Sequence, residues 1–126
     1  MSPWLLVALG GALGAGARYG VTLIAGALSA GGLPIGATLL VNACGGLLIG
    51  AAFGLWAEAD WFASWGRPLL VVGLLGGFTT FSAFSFEMLT LMQSGRVALA
   101  LGYATLSVVA CTALAGVGFV LAGGGQ

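Results

Sequence analysis

Thr38 and Asn42 stand four residues apart in one apolar stretch, Tyr103, Ser107 and Cys111 repeat the spacing in another, and Thr79, Thr80, Ser82 and Ser85 crowd the segment GLLGGFTTFSAFSFE at 73–87. A spacing of four puts side chains on one face of a helix. These residues therefore draw lines of hydroxyl and amide groups along segments built otherwise from Ala, Gly, Leu and Val. A polar group at membrane depth needs a partner or a water-lined cavity. For a single Ser or Thr the partner is ordinarily the carbonyl one turn back or a neighbouring helix. The amide of Asn42 is more costly to leave unsatisfied and is the candidate site residue. The spans hold no Lys and no acidic pair: Glu87 is their only carboxylate, while Glu58 and Asp60 belong to a loop. Proton-coupled cation transport calls for an intramembrane carboxylate. Donors without fixed negative charge instead suit a small anion. Arg18 fits the same chemistry by concentrating anions near a pore mouth, or it snorkels to the headgroups.

Phe78, Phe81 and Phe84 follow at intervals of three in the same segment. Aromatics at such spacing are ordinary core or lipid-facing residues, but a phenyl ring also has a positive edge that can meet an anion without carrying a charge. The adjacent glycines and threonines hold a helix poorly, so the spacing predicts a break near Gly76 to Thr80. A break frees carbonyl oxygens, and at membrane depth these need protein, water or an ion; an oxygen cage suits a bare monovalent cation.

The elements that must carry these residues follow from composition. With 60% hydrophobic and 5% charged residues and a mean hydropathy of +1.17, the chain has too little polar surface to cover a water-soluble globule. A helix crosses the hydrocarbon core in about 20 residues. Four such runs fit, at about Pro3 to Leu28, Pro34 to Ala57, Arg67 to Met92 and Val97 to Leu121. Between them lie SAGGLP, EADWFASWG and QSGR, with turn residues and interfacial Trp61 and Trp65. The expectation is one all-α integral membrane domain over residues 1–126, multi-pass in the cell (inner) membrane. MSPWLLVAL lacks the basic start of a secretory signal and reads as a retained span. Zero net charge without a basic run gives no footprint for nucleic acid. With no His, and with Cys44 and Cys111 in separate segments, no metal or redox cluster is spelled out. No nucleophile pairs with a base, so the reading is not an enzyme.

Orientation is set by Lys and Arg near span ends, and the chain has only Arg18, Arg67 and Arg96. Arg67 lies on one side of the membrane, Arg96 and Arg18 favour the other. So weak a bias predicts insertion in both orientations and an antiparallel homodimer with inverted symmetry. Gly10 and Gly14, Gly16 and Gly20, and Gly46, Gly50 and Gly54 make small faces for close helix packing. The fragment GAGARYG resembles a nucleotide loop only superficially, as it follows no strand and opens no βαβ unit.

GGALGAGARYG at 10–20, GATLLVNACGG at 36–46 and GGFTTFSAF at 76–84 resemble the signature segments of the Fluc (CrcB-type) fluoride channels, in the same order and over the whole chain. The resemblance implies a dual-topology antiparallel homodimer of four-helix subunits, the third helix broken near its middle. It implies passive fluoride exit from the cell, relieving fluoride toxicity, through two pores. It also implies a structural sodium ion at the dimer centre on the backbone carbonyls of Gly76 and Thr79. The fluoride pathway it implies runs by Asn42, Phe81 and Phe84, with Thr38, Thr80, Ser82, Tyr103 and Ser107 as its hydroxyl groups and Arg18 in an electropositive vestibule.

Two positions depart from the family pattern: Ala83 and Cys111 stand where hydroxyl residues are common. Each removes a good donor, so conduction would be slower or the path would use water and Thr112 instead. The rivals are a small dual-topology multidrug exporter, which needs a carboxylate in its first span where this chain has none, and a non-transporting structural membrane protein, which gives no reason for Asn42 and the hydroxyl lines.

Overall fold

The structure, a computed structural model, describes residues 1–28 and 35–125. Its elements are α1 (Pro3–Leu28), α2 (Ile35–Trp56), α3 (Phe62–Leu75), α4 (Gly76–Phe78), α5 (Phe81–Gln93) and α6 (Val97–Leu121). Among the described residues, four helical stretches can cross a membrane by length and composition: α1, α2, the run Phe62–Gln93 made of α3 to α5, and α6. The SAGGLP connector, with Pro34 as the expected start of the second span, lies outside the described residues.

The helices pack as two close pairs, α2 against α6 and α1 against α3 and α4. Glycines make both pairs possible. A Cβ at Gly10 or Gly14 would strike the backbone of Leu69 or Leu74 on α3, and one at Gly46, Gly50 or Gly54 would strike the carbonyls of Cys111, Ala115 or Phe119 on α6. Gly16 and Gly20 meet nothing within 4 Å among the described residues. Their stripe, with exposed Leu9, Leu13, Leu23 and Ile24 on the same helix, faces outward, where lipid or another chain takes the place of water.

The third spanning unit begins at Phe62, ahead of the Arg67 expected from hydropathy. Aromatic packing carries the helix past its polar start. Phe62 is fully buried and packs edge-on to Phe53 and to Trp61. The Arg67 guanidinium lies over the Phe53 and Phe62 rings, 5.3 and 5.6 Å from their centroids, a geometry in which the ring quadrupole attracts the cation. α3 is wound as a π-helix around Pro68, and the Gly76 N–H closing it reaches the Val71 carbonyl, five residues back. Proline cannot donate to the ladder and crowds the preceding turn, and wider winding accommodates that gap.

The turn from α5 to α6 is tight. Gly95 takes φ of 74°, its N–H bonds the Met92 carbonyl at 3.1 Å and the Arg96 N–H bonds that of Leu91 at 2.9 Å. This pair of bonds is a Schellman motif, which satisfies the last carbonyls of a helix and favours glycine at its left-handed position.

Candidate functional site

The helical run breaks at Thr79 and Thr80, the C-terminal edge of the window expected from sequence: Thr79 has ψ of 157° and Thr80 has φ of −150°, both extended. Gly76 and Gly77 stay helical upstream. Gly77 is held against α1, where a Cβ would come within 2.6 Å of the Gly11 carbonyl oxygen. Thr80 restarts the chain as the N-cap of α5, its Oγ1 accepting from the Ala83 N–H at 3.1 Å, the bond that makes Thr a favoured cap. The Ser82 hydroxyl lies 3.2 Å from the same Oγ1.

Asn42, one helix away on α2, closes the gap. Its Oδ1 accepts from the Thr80 N–H at 2.8 Å and its Nδ2 donates to the Thr80 carbonyl at 3.0 Å. Only this amide orientation satisfies both backbone groups, and it uses one of the two amide hydrogens. Arg18 on α1 supports the other side, donating Nε–H to the Gly77 carbonyl at 3.1 Å.

This bonding decides which carbonyls remain free. In an unbroken helix the Thr80 N–H would serve the Gly76 carbonyl and the Ala83 N–H would serve that of Thr79. Here the first goes to Asn42 and the second to the Thr80 hydroxyl. Gly76 and Thr79 therefore keep carbonyl oxygens without helical donors, the hard oxygen set suited to an alkali cation. Gly76 is also exposed in the single chain.

A cavity of about 290 Å³ opens beside the break, lined by Asn42, Thr79, Thr80, Phe81, Phe84, Ser107, Val108 and Cys111. Five of the residues expected on the ion path are thus brought together from α2, α5, α6 and the break itself. The Phe81 and Phe84 rings stand 5.5 Å apart at 45°, and Phe84 also contacts Tyr103 at 5.1 Å. Ser107 is only 8% exposed, and among the described residues its buried Oγ has no hydrogen-bond partner. That oxygen is itself enclosed, within reach of the Tyr103 hydroxyl.

Thr38 and Arg18 line a second, smaller cavity of about 70 Å³ with Thr22, Val41, Thr80, Ala83 and Glu87. Thr80 belongs to both. Tyr103 lines neither: its hydroxyl donates to Glu87 Oε2 at 2.7 Å, while the Thr38 hydroxyl donates to Oε1 at 2.6 Å. Glu87 is 3% exposed, and both of its oxygens are satisfied by hydroxyls from α2 and α6. Glu87 was missing from the residues expected at the site. The cost of burying a carboxylate in a span was the signal that could have found it, but the identity of its donors depends on how three helices pack.

Residues 5–119 match the CrcB-like protein (camphor resistance) family. A curated relative from Paracoccus denitrificans named fluoride-specific ion channel FluC is 50% identical over 106 residues, 84% of this chain and 82% of the relative. Proteins of the same name from Thermus thermophilus and Bordetella petrii are 48% and 47% identical, over 98% and 94% of this chain and 97% and 90% of their own. The clamp at the break, the paired aromatics and the hydroxyl line are thus carried on a chain that belongs to the CrcB-like family.

Proposed function

We propose that the protein is a fluoride-selective channel through which fluoride leaves the cell passively. The observation that carries this reading is the Asn42 amide, bonded across the helix break and lining a cavity with Phe81 and Phe84, in a chain whose curated relatives are named fluoride-specific ion channels. Fluoride is small and strongly hydrated, so a pore must replace its water with donors of comparable strength. Asn42 offers its second amide hydrogen, and the two rings their positive edges. A larger, more weakly hydrated anion gains less from such donors. Thr80, common to both cavities, joins this path to the side of Arg18, whose charge favours anions.

The assembly in this reading is an antiparallel homodimer inserted in both orientations, multi-pass in the cell (inner) membrane. Its support is the near-balanced placement of three arginines and the outward Gly16 and Gly20 stripe on α1. Sodium fits the same reading: the free carbonyls of Gly76 and Thr79 would hold it, and a second copy would double the set. Bound there, the ion supplies positive charge that offsets four oxygens, and this chain's contribution is to hold them in place through Asn42 and Arg18.

The test is efflux from liposomes containing only the purified protein. Fluoride release well above protein-free liposomes, with chloride retained, is the expected result; equal release of both ions, or of neither, defeats the reading. Reporters active on one side of a membrane, fused to the C-terminus, should each give signal, and a single active reporter rules out dual insertion.

A further inference from the structure

Gly45 is buried on α2, one turn past Asn42, so the two share a face of that helix. Its neighbour Gly46 meets α6, but a Cβ at Gly45 would strike Thr79 Cγ2 at the helix break. Past that methyl the fit is relaxed: the next atoms, Thr79 Cβ and Phe78 Cδ1, would lie 3.6 and 4.0 Å away, at ordinary van der Waals distance. The Thr79 methyl therefore sits in a notch left by the missing side chain of Gly45. It is not free to swing out. Thr79 Oγ1 donates to the Leu75 carbonyl at 2.9 Å, and the Thr79 N–H reaches the same oxygen at 2.9 Å, so turning χ1 of this β-branched residue would break the hydroxyl bond. The other end of Thr79 is fixed as well. Its carbonyl shares a peptide plane with the Thr80 N–H, which Asn42 Oδ1 accepts, and in a trans peptide the two point in opposite directions. With the N–H turned toward Asn42, the Thr79 carbonyl is turned away from it.

We propose that Gly45 is a positioning residue for the cation: by admitting the Thr79 methyl it lets one face of α2 hold Thr79 at both ends, and so fixes the direction of a carbonyl offered to the ion. Gly45→Ala forces one of two changes. Either the Thr79 hydroxyl comes off Leu75, or α2 backs away from the break and carries Asn42 with it. Both loosen the peptide between Thr79 and Thr80. The seating of Thr79 stands on these contacts alone; the use of its carbonyl rests on the sodium reading above.

The experiment uses the full-length protein in detergent, dialysed at length into N-methyl-D-glucamine. Bound sodium is measured by elemental mass spectrometry before and after sodium is returned in steps, and thermal unfolding is followed in the same samples. Gly45→Ala should lose sodium that the parent retains, or need at least about tenfold more of it for half-saturation. Adding Thr79→Ser, which removes the methyl and keeps the hydroxyl, should restore both sodium binding and melting temperature. Thr79→Ser alone should bind sodium as the parent does. Gly50→Ala, whose Cβ meets Ala115 on α6 instead, should melt lower, bind sodium as the parent does and gain nothing from Thr79→Ser. If Gly45→Ala does not assemble, the double variant decides: assembled and holding sodium, it supports the proposal; unassembled, it overturns it. Parent-like sodium binding by Gly45→Ala, a double variant no better than Gly45→Ala, or equal rescue of Gly50→Ala also overturns it. A parent that binds no sodium instead counts against the sodium reading, and the melting temperatures of the same variants still decide whether Gly45 seats Thr79.

Discussion

The side-chain amide of Asn42 and the backbone of Thr80 form a closed pair of hydrogen bonds, 2.8 and 3.0 Å long, across the gap between α2 and the helix break. A side-chain amide carries a donor and an acceptor side by side, so it can bond both backbone groups of one residue in this way. The pair diverts the Thr80 N–H from the Gly76 carbonyl, so the geometry of the break and the presence of a free oxygen have one cause.

Asn42→Asp replaces the donor with a second acceptor. The Thr80 carbonyl then faces a carboxylate, and an anion in the cavity meets like charge. Fluoride efflux should fall below detection while size-exclusion chromatography still shows the parent's assembly. The lost bond, about 1–3 kcal/mol when a buried group is left unsatisfied, should appear as a lower melting temperature. Efflux at the parent rate would remove Asn42 from the path.

Phe81 is 78% exposed in the chain, so its ring contributes little to the subunit's core. Phe81→Ile should therefore leave the subunit's melting temperature nearly unchanged yet cut fluoride efflux at least about tenfold, because Ile lacks the positive ring edge. Phe81→Met should be milder, since a polarizable thioether partly substitutes. If Ile and Met are tolerated equally, bulk and not ring electronics is what the position requires.

Tyr103→Phe removes the donor to Glu87 Oε2 and leaves a buried carboxylate oxygen unmet. Stability should drop by about 1–3 kcal/mol, read as loss of the assembled peak after heating. Pairing the change with Glu87→Gln should recover part of the loss, because a neutral amide is less costly to leave partly unsatisfied than a carboxylate. A double mutant no better than the single one would mean that the Tyr103 hydroxyl acts elsewhere.

Gly50→Ala drives a Cβ into the Ala115 carbonyl and should destabilise the α2–α6 pair by about 1–3 kcal/mol. Gly102→Ala, with open space around it among the described residues, should be neutral or slightly stabilising through helix propensity. Thermal unfolding in detergent compares the two directly. A larger loss at Gly102 than at Gly50 would place the close helix contact on the wrong face of the bundle.

Sequence by itself determined that the chain is apolar enough for four membrane helices, since hydropathy and length are properties of the residues alone. The bounds of α1 and α6 were legible for the same reason: Pro3, Leu28, the QSGR turn and Leu121 mark abrupt changes in composition. The break was legible to within a few residues from Gly76, Gly77, Thr79 and Thr80. Which peptide would open was not, because the choice of Thr80 depends on an amide 38 residues away in sequence. The glycine spacings announced close packing but not partners; only folding assigned Gly10 and Gly14 to α3, Gly46, Gly50 and Gly54 to α6, and left Gly16 and Gly20 facing outward. Asn42, Phe84 and Ser107 were legible as candidates by type and periodicity. Tertiary structure alone placed them with Cys111 around one cavity and drew Tyr103 away to Glu87. Periodicity reports only which face of a helix a residue shares, whereas a hydrogen bond needs two atoms within about 3 Å. That distance is decided by how the backbones approach one another, which here depends on glycines far along the chain from the groups they bring together.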